Sequence, residues 1–311
     1  MNSTQVNDIL YQLEHRLQED DQSVGTHLKG MLISRYLTYW DYLQIDTLLS
    51  LQRPKTDYPD EEIFIIYHQI TELYFKLIRN ELEQLCLKEY ADVSAWMKRL
   101  KRVVRYYRLL CDSFEIMLAG MDTEEFKIFR TALIPASGFQ SLQFRKIELM
   151  LSSLNNLVKA EERSSLGQQF ESTFQKIYWK YGSRKKDGKK SLTLKLFEQE
   201  YDEDLLEFAH RYRRCNLWNR FQQLPPDAQA SDRLQRLLRK LDQQINIHWK
   251  LSHYKAAASH IGFHGRSTGG TNWQRYLPPH FQRISFFPTL WSAQERAEWG
   301  KEWVMELLEV E

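Results

Sequence analysis

The hydrophobic pattern of this chain is organised around residues 64–76, FIIYHQITELYFK, whose spacing predicts a helix. Ile63, Ile66, Ile70, Leu73 and Leu77 recur at helical intervals and make one apolar stripe. Phe64, His68, Thr71 and Phe75 lie at i, i+4, i+7 and i+11, so they share a second face. A helix with two apolar faces is expected to be buried. His68 then sits in the interior between aromatic residues, where an imidazole needs a hydrogen-bonding partner. On this helix alone, a core histidine bonded to a nearby side chain or carbonyl is the simpler account.

The flanking patterns are also helical. Residues 1 to about 24 read as an amphipathic arm with Val6, Ile9, Leu10, Leu13 and Leu17 on one side, which must dock on its own body or on another subunit. Residues 25–39 read as a connector and 39–52 as a second helix. Asp60 and two glutamates suit the start of the central helix, which is expected to reach about Leu87. A long pattern follows over 93–121, then a short helix over 122–134 that Pro135 ends. Ser137 with Gln140 three residues on predicts a capping box opening another helix. The signal weakens over 158–204 and returns over 205–221. Ser231 is the expected N-cap of a long helix with Leu234, Leu238, Leu241, Ile245, Trp249, Ser252 and Ala256 inward, and Gly262 its stop. Trp273, Tyr276, Phe286, Phe287 and Trp291 of the tail must pack somewhere. Strand-type alternation never lasts more than a few residues, so the expected fold class is all-α.

Composition supports this reading. Among 311 residues there are only 12 glycines and 8 prolines, too few breakers for a loop-rich chain. The net charge of +2 names no polyanionic partner. The basic run at 184–190, RKKDGKK, is expected to be a solvated loop tip, because nucleic-acid binding needs a wider basic face with stacking aromatics. Cys86, Cys111 and Cys215 are far apart and show no CxxC spacing, which fits a reducing cytoplasm rather than a disulfide framework or a zinc site. The first residues are polar, and no apolar run approaches the roughly 18 residues a membrane span needs. A soluble, cytoplasmic protein with no membrane partner is expected.

Two positions besides His68 invite chemistry. His253 lies on the last long helix, where its neighbours become small: Ser252, Ala256, Ala257, Ala258 and Ser259. Such a gap could admit a planar haem with His253 as axial ligand; equally, the alanines could simply let two helices approach. No CxxCH motif is present, so any haem is held non-covalently. Arg130, four residues after Phe126 in EFKIFRTAL, is either paired with an acid or placed to hold a carboxylate by a two-pronged contact. The glycine-rich loop over 262–271 is no Walker loop, since it follows a helix and lacks the lysine; Thr268 could still offer a hydroxyl to a small ligand. GxSxG and HExxH motifs are absent.

Several of these stretches resemble the tryptophan 2,3-dioxygenase family. FIIYHQITELYFK is similar to the family's FIIxHQxxELWFK, and SGFQSLQFR looks identical to a family motif. LTYWDYLQIDTLLSLQRP is similar to TYGxYLxLDxLLxxQxP, WKLSHYKAAASHIG resembles WRxxH…IG, and STGGTN stands where the family has GTGGSS. The resemblance covers most of 36–88, 125–148 and 249–291. It implies a single all-helical domain over 1–311 around a haem pocket, with an N-terminal arm (about 1–24) and a variable insert (about 155–235). His253 would be the proximal ligand of a haem b, ferrous in the active state. His68 would be the distal histidine bonded to the indole N–H, and Phe64 and Phe126 would pack in the substrate pocket. Arg130 would hold the substrate carboxylate, and Thr268 the ammonium or carboxylate end. Tyr39, Tyr42 and Leu43 would be lent to a neighbouring subunit of a homotetramer, a dimer of dimers. The implied reaction opens the 2,3 bond of L-tryptophan with O2 to give N-formylkynurenine.

The sequence departs from the family pattern at Trp40 and Asp41, at Ser267 and Trp273, and in the alanines and Ser259 after His253. These changes leave two other readings open. One is a haem-dependent monooxygenase of another aromatic amino acid or indole on the same scaffold. The other is a haem-binding sensor without turnover.

Overall fold

The structure is a computed structural model describing residues 2–18, 22–34, 36–87, 93–166, 169–183, 188–262 and 273–302. The described residues are helical or in loops and turns, with no strand, as the pattern predicts. They divide into two compact units, Met1–Gln52 and Arg53–Glu311.

The first unit holds α1 (Ser3–Gln18), α2 (Val24–Ile33), α3 (Tyr39–Leu43) and α4 (Ile45–Leu48). None of these helices has a buried residue, and Val6, Ile9 and Leu13 of the amphipathic stripe are exposed. The expected connector over 25–39 is largely helix. Ser23 caps α2 by accepting from the Thr26 N–H, which offsets the cost of Gly25 and Gly30, about 1 kcal/mol each. The expected helix over 39–52 is broken instead, because Gln44 takes a left-handed conformation (φ +52°) between α3 and α4.

The second unit is built on α5 (Asp60–Leu87), which packs against α6 (Val93–Asp112) and α9 (Leu142–Leu151). Between them lie α7 (Phe114–Ala119) and α8 (Thr123–Phe129), so the pattern over 93–121 forms two helices, and the short helix tightens to a 3-10 turn at Arg130–Leu133. The Ser137–Gln140 capping box exists, but it closes a 3-10 turn; Ser141 caps α9 by accepting from the Phe144 N–H. The weak-signal region contains α10 (Phe170–Phe174), α11 (Tyr178–Gly182) and α12 (Leu192–Tyr212), a 21-residue helix packed on α9. Phe174, Tyr178, Trp179 and Phe197 from this region are buried in the main core. Then come α13 (Leu217–Gln222), α14 (Pro226–Gln229) and α15 (Asp232–Gln243). Through one π turn, Gln244–His248, α15 runs on into α16 (Trp249–Ile261), which ends at Gly262 with φ +69°.

The inward row Leu234, Leu238, Leu241 and Ile245 is fully buried, each side chain contributing about 1.5–3 kcal/mol of hydrophobic stabilisation. Three short helices close the described chain: α17 (Trp273–Tyr276), α18 (Pro279–Gln282) and α19 (Ala293–Ala297). The tail is anchored by Asp242, which is buried and accepts from Ser285 Oγ, the Phe286 and Phe287 N–H groups, Trp291 Nε1 and Asn246 Nδ2 at 2.7–3.2 Å. Burial raises the pKa of this carboxyl, and the hydrogen bonds from Phe286, Ser285, Asn246 and Trp291 offset the rise only in part.

The stripe expected to lie buried on α5 does not. Ile66, Ile70, Leu73 and Leu77 are 38–49% exposed, while Phe64, His68, Thr71 and Phe75 face inward.

Candidate active site

Between α5, α8 and α16 lies a cavity of about 540 Å³, within the usual range for small-molecule sites. His68 and His253 both line it, from two helices far apart in sequence, as do Phe64, Phe126 and Arg130. Five of the residues singled out in the sequence therefore meet in one place.

His68 Nδ1 lies 2.7 Å from the carbonyl oxygen of Phe64, one turn back on α5. A carbonyl only accepts, so Nδ1 carries the hydrogen and Nε2 is left as an acceptor. Burial pushes the His68 pKa down, only partly offset by this bond and by Glu72, so the ring is held neutral. The Phe64 ring stands 4.1 Å from the imidazole, centroid to centroid, and Phe126 lies 6.0 Å beyond Phe64. Together they form an aromatic wall.

His253 is enclosed by protein yet its side chain is exposed, because it faces open cavity rather than neighbouring atoms. Ala256 and Ala257 line the same volume, and their small side chains leave space beside the imidazole on the helix that also packs against α7 and α8. Burial, then the proximity of His68, lower its pKa to about 4. A neutral imidazole beside open volume is a competent ligand for a haem iron. Among the described residues, no cluster of three or more His, Cys, Asp or Glu side chains could hold a metal ion by itself.

Arg130 is half-buried, with its guanidinium carbon 5.8 Å from the centre of the Phe126 ring. Burial lowers its pKa from the ordinary guanidinium range. Asp122 caps α8 by accepting from the Glu124 and Glu125 N–H groups, which fixes the helix whose end presents Arg130.

The cavity has a polar side that periodicity did not reveal. Arg145, from the SGFQSLQFR stretch, is 3% exposed; it donates to Glu148 at 2.8 Å and to the Phe139 carbonyl at 3.3 Å. Its guanidinium also lies over the Phe139, Phe144 and Trp179 rings. Tyr178 donates to Glu148 from the other side. Lys250, one turn before His253, donates to Asn246 Oδ1 at 3.2 Å and sits 4.7 Å over the Tyr178 ring. Burial lowers its pKa to about 8. The only sequence signal for this wall was the arginine closing the motif; Tyr178 lies in the weak-signal region.

Thr268 and Ser267 fall outside the described residues. Tyr39, Tyr42 and Leu43 belong to the first unit, where all three side chains are exposed. Trp273 is 3% exposed and lines the cavity, 5.2 Å from Tyr254.

The family model for tryptophan 2,3-dioxygenase matches residues 29–224. That match ends before the helix bearing His253, but two relatives extend past it in length. The tryptophan 2,3-dioxygenase of Ruegeria pomeroyi is 28% identical over 270 residues, 84% of this chain and 93% of the relative. That of a Polaromonas species is 30% identical over 263 residues, 83% of this chain and 87% of the relative. The Herpetosiphon aurantiacus protein of the same name is 42% identical over 122 residues, 38% of this chain and 46% of the relative. The chain belongs to the tryptophan 2,3-dioxygenase family.

Proposed function

We propose that this protein is a haem-dependent dioxygenase that opens the indole 2,3 bond of L-tryptophan with O2, giving N-formylkynurenine. The observation that carries the reading is the pairing, in one cavity, of His68 as a neutral acceptor within an aromatic wall and His253 as a neutral imidazole before open volume. Haem b is the cofactor whose needs these residues meet, with His253 holding its iron. When bound in the ferrous state, it supplies the binding and activation of O2.

The rest is done by the chain itself. His68 accepts the indole N–H, which sets the orientation of the ring. Phe64 and Phe126 flank the indole and keep the slot dry, while Arg130 forks the carboxylate and fixes the other end. Thr268 contacts the ammonium or carboxylate group. With both ends held, the indole 2,3 bond is presented in one orientation, and orientation is the main contribution a protein makes when a cofactor carries the hard chemistry.

Tyr39, Tyr42 and Leu43 complete the pocket of a neighbouring subunit in a homotetramer, a dimer of dimers. The exposed α5 stripe and the open apolar face of residues 1–52 support such an assembly. No helix of the described residues is long and apolar enough to cross a membrane. The free thiols of Cys86, Cys111 and Cys215 support a cytoplasmic site of action. The regions 1–24 and 155–235 act as an arm and an insert of one catalytic domain.

Buried Trp273 on the cavity favours a second reading, oxygenation of a different aromatic amino acid, since it fills space where the resemblance has glycine. The test is steady-state turnover by haem-loaded, reduced protein in air-saturated buffer. Growth of the formylkynurenine absorbance with L-tryptophan supports the first reading. An intact Soret band with no tryptophan consumed favours the second.

A further inference from the structure

We infer that His260 is a positioning residue: it holds Phe126 and the helix bearing Arg130 in register with the helix bearing His253. The inference rests on the reading of the cavity as an amino-acid site. His260 lies seven residues, two turns, after His253 on α16, so both project from one face. Its side chain is 2% exposed and both ring nitrogens are engaged. Nε2 faces the carbonyl of Met117, so it carries the hydrogen and donates. That carbonyl lies in the last turn of α7, where carbonyls lack partners within the helix. Nδ1 therefore accepts, from the Thr123 hydroxyl at 3.3 Å.

Thr123 opens α8, the helix whose next turn carries Phe126. The His260 ring also packs on Phe126, 5.0 Å between centroids at 50°. Phe126 in turn touches Phe64 and lies under the Arg130 guanidinium. On its other side, α8 is tied to α5 through the Asp122 N–H, which donates to the Asp60 carboxylate. The substrate-facing helix is thus pinned to both histidine-bearing helices, and His260 supplies the pin to α16. A single imidazole joins α16, α7 and α8 through one donor, one acceptor and one ring face.

The test uses the haem-loaded full chain, three single variants and one double variant. His260→Phe keeps the ring and loses both hydrogen bonds. His260→Gln keeps an amide able to donate to Met117 and accept from Thr123. Thr123→Val removes one bond from the other side. Haem content and the Soret band are recorded, with kcat and KM for tryptophan. His260→Phe and Thr123→Val should each raise KM roughly five- to tenfold, the size of a lost internal hydrogen bond, with kcat within about twofold and haem content unchanged. His260→Gln should recover part of the loss, and the Phe and Val substitutions should not add in the double variant. Folded, haem-loaded variants with wild-type KM overturn the inference, as does a raised KM accompanied by loss of haem, which marks general packing. Should His260→Phe fail to fold, Thr123→Val decides alone. Wild-type protein that ignores tryptophan overturns the substrate reading first, before any variant is made, and this inference with it.

Discussion

His68 gives its Nδ1 hydrogen to the carbonyl of Phe64, 2.7 Å away and one turn back along the same helix. This intrahelical bond sets the tautomer, so what the ring has left to offer is a lone pair. A lone pair suits an indole N–H and does not suit a second acceptor. His68→Phe should therefore keep haem while lowering kcat/KM for tryptophan roughly tenfold, as expected for one lost hydrogen bond. An N1-methylated tryptophan, with no hydrogen to give, should not distinguish wild type from variant. Parallel titrations of both compounds check this, and discrimination of the methylated compound would remove the acceptor role.

Arg130→Ala separates recognition from structure. A charged hydrogen-bonded contact contributes enough that its loss should raise KM for tryptophan roughly 10- to 100-fold. Tryptamine, which lacks the carboxylate, should respond little to the substitution. Equal damage to both would give Arg130 a structural role over the Phe126 ring.

The haem assignment is tested by His253→Ala, which should lose most bound haem while keeping its far-ultraviolet helical signal. The large open space before the imidazole makes this substitution structurally mild. A full, unshifted Soret band in the variant would contradict the assignment.

Much of this arrangement was legible in the sequence, and the losses have physical reasons. The span of α5 and the inward row of α15 and α16 followed from periodicity and from the acidic first turn at Asp60. Periodicity reports that a face is apolar but not what covers it, so the stripe through Ile66, Ile70, Leu73 and Leu77 reads as core although it is exposed. The helix α12 was obscured because the acidic stretch from Glu198 to Asp204 interrupts its apolar spacing, leaving Leu194, Phe197 and Leu205 to carry the buried face. The bonds of Tyr178 to Arg145 and Glu148 and the contacts of His260 join residues tens to more than a hundred positions apart. Pairings of that kind carry no periodic signal.

The exposed α5 stripe makes its own prediction. Four apolar side chains at i, i+4, i+7 and i+11 along one helix face form a surface suited to a second copy of the chain. Leu73→Glu with Leu77→Glu should shift the assembly toward smaller species in light scattering, with helix content retained. An unchanged mass would place the subunit contact elsewhere.

Lys250 gives a pH signature. Its pKa falls from an ordinary 10.5 to about 8 on burial. Between those values the unfolded state holds more protons than the folded state, so the stability attributable to this residue rises with pH. Below about pH 8 the penalty is constant at about 3 kcal/mol, from the size of the shift. Lys250→Met should remove the slope, so that the wild-type unfolding free energy gains on the variant between pH 8 and 10. Parallel curves in denaturant titrations would mean the ammonium is better solvated than its burial implies.

The most direct test of the central claim is a single incubation of reduced, haem-loaded protein with L-tryptophan under oxygen-18 gas, with the product mass measured. The account predicts N-formylkynurenine carrying two labelled atoms. A tryptophan product with one labelled atom, or unlabelled tryptophan beside an intact Soret band, would contradict it.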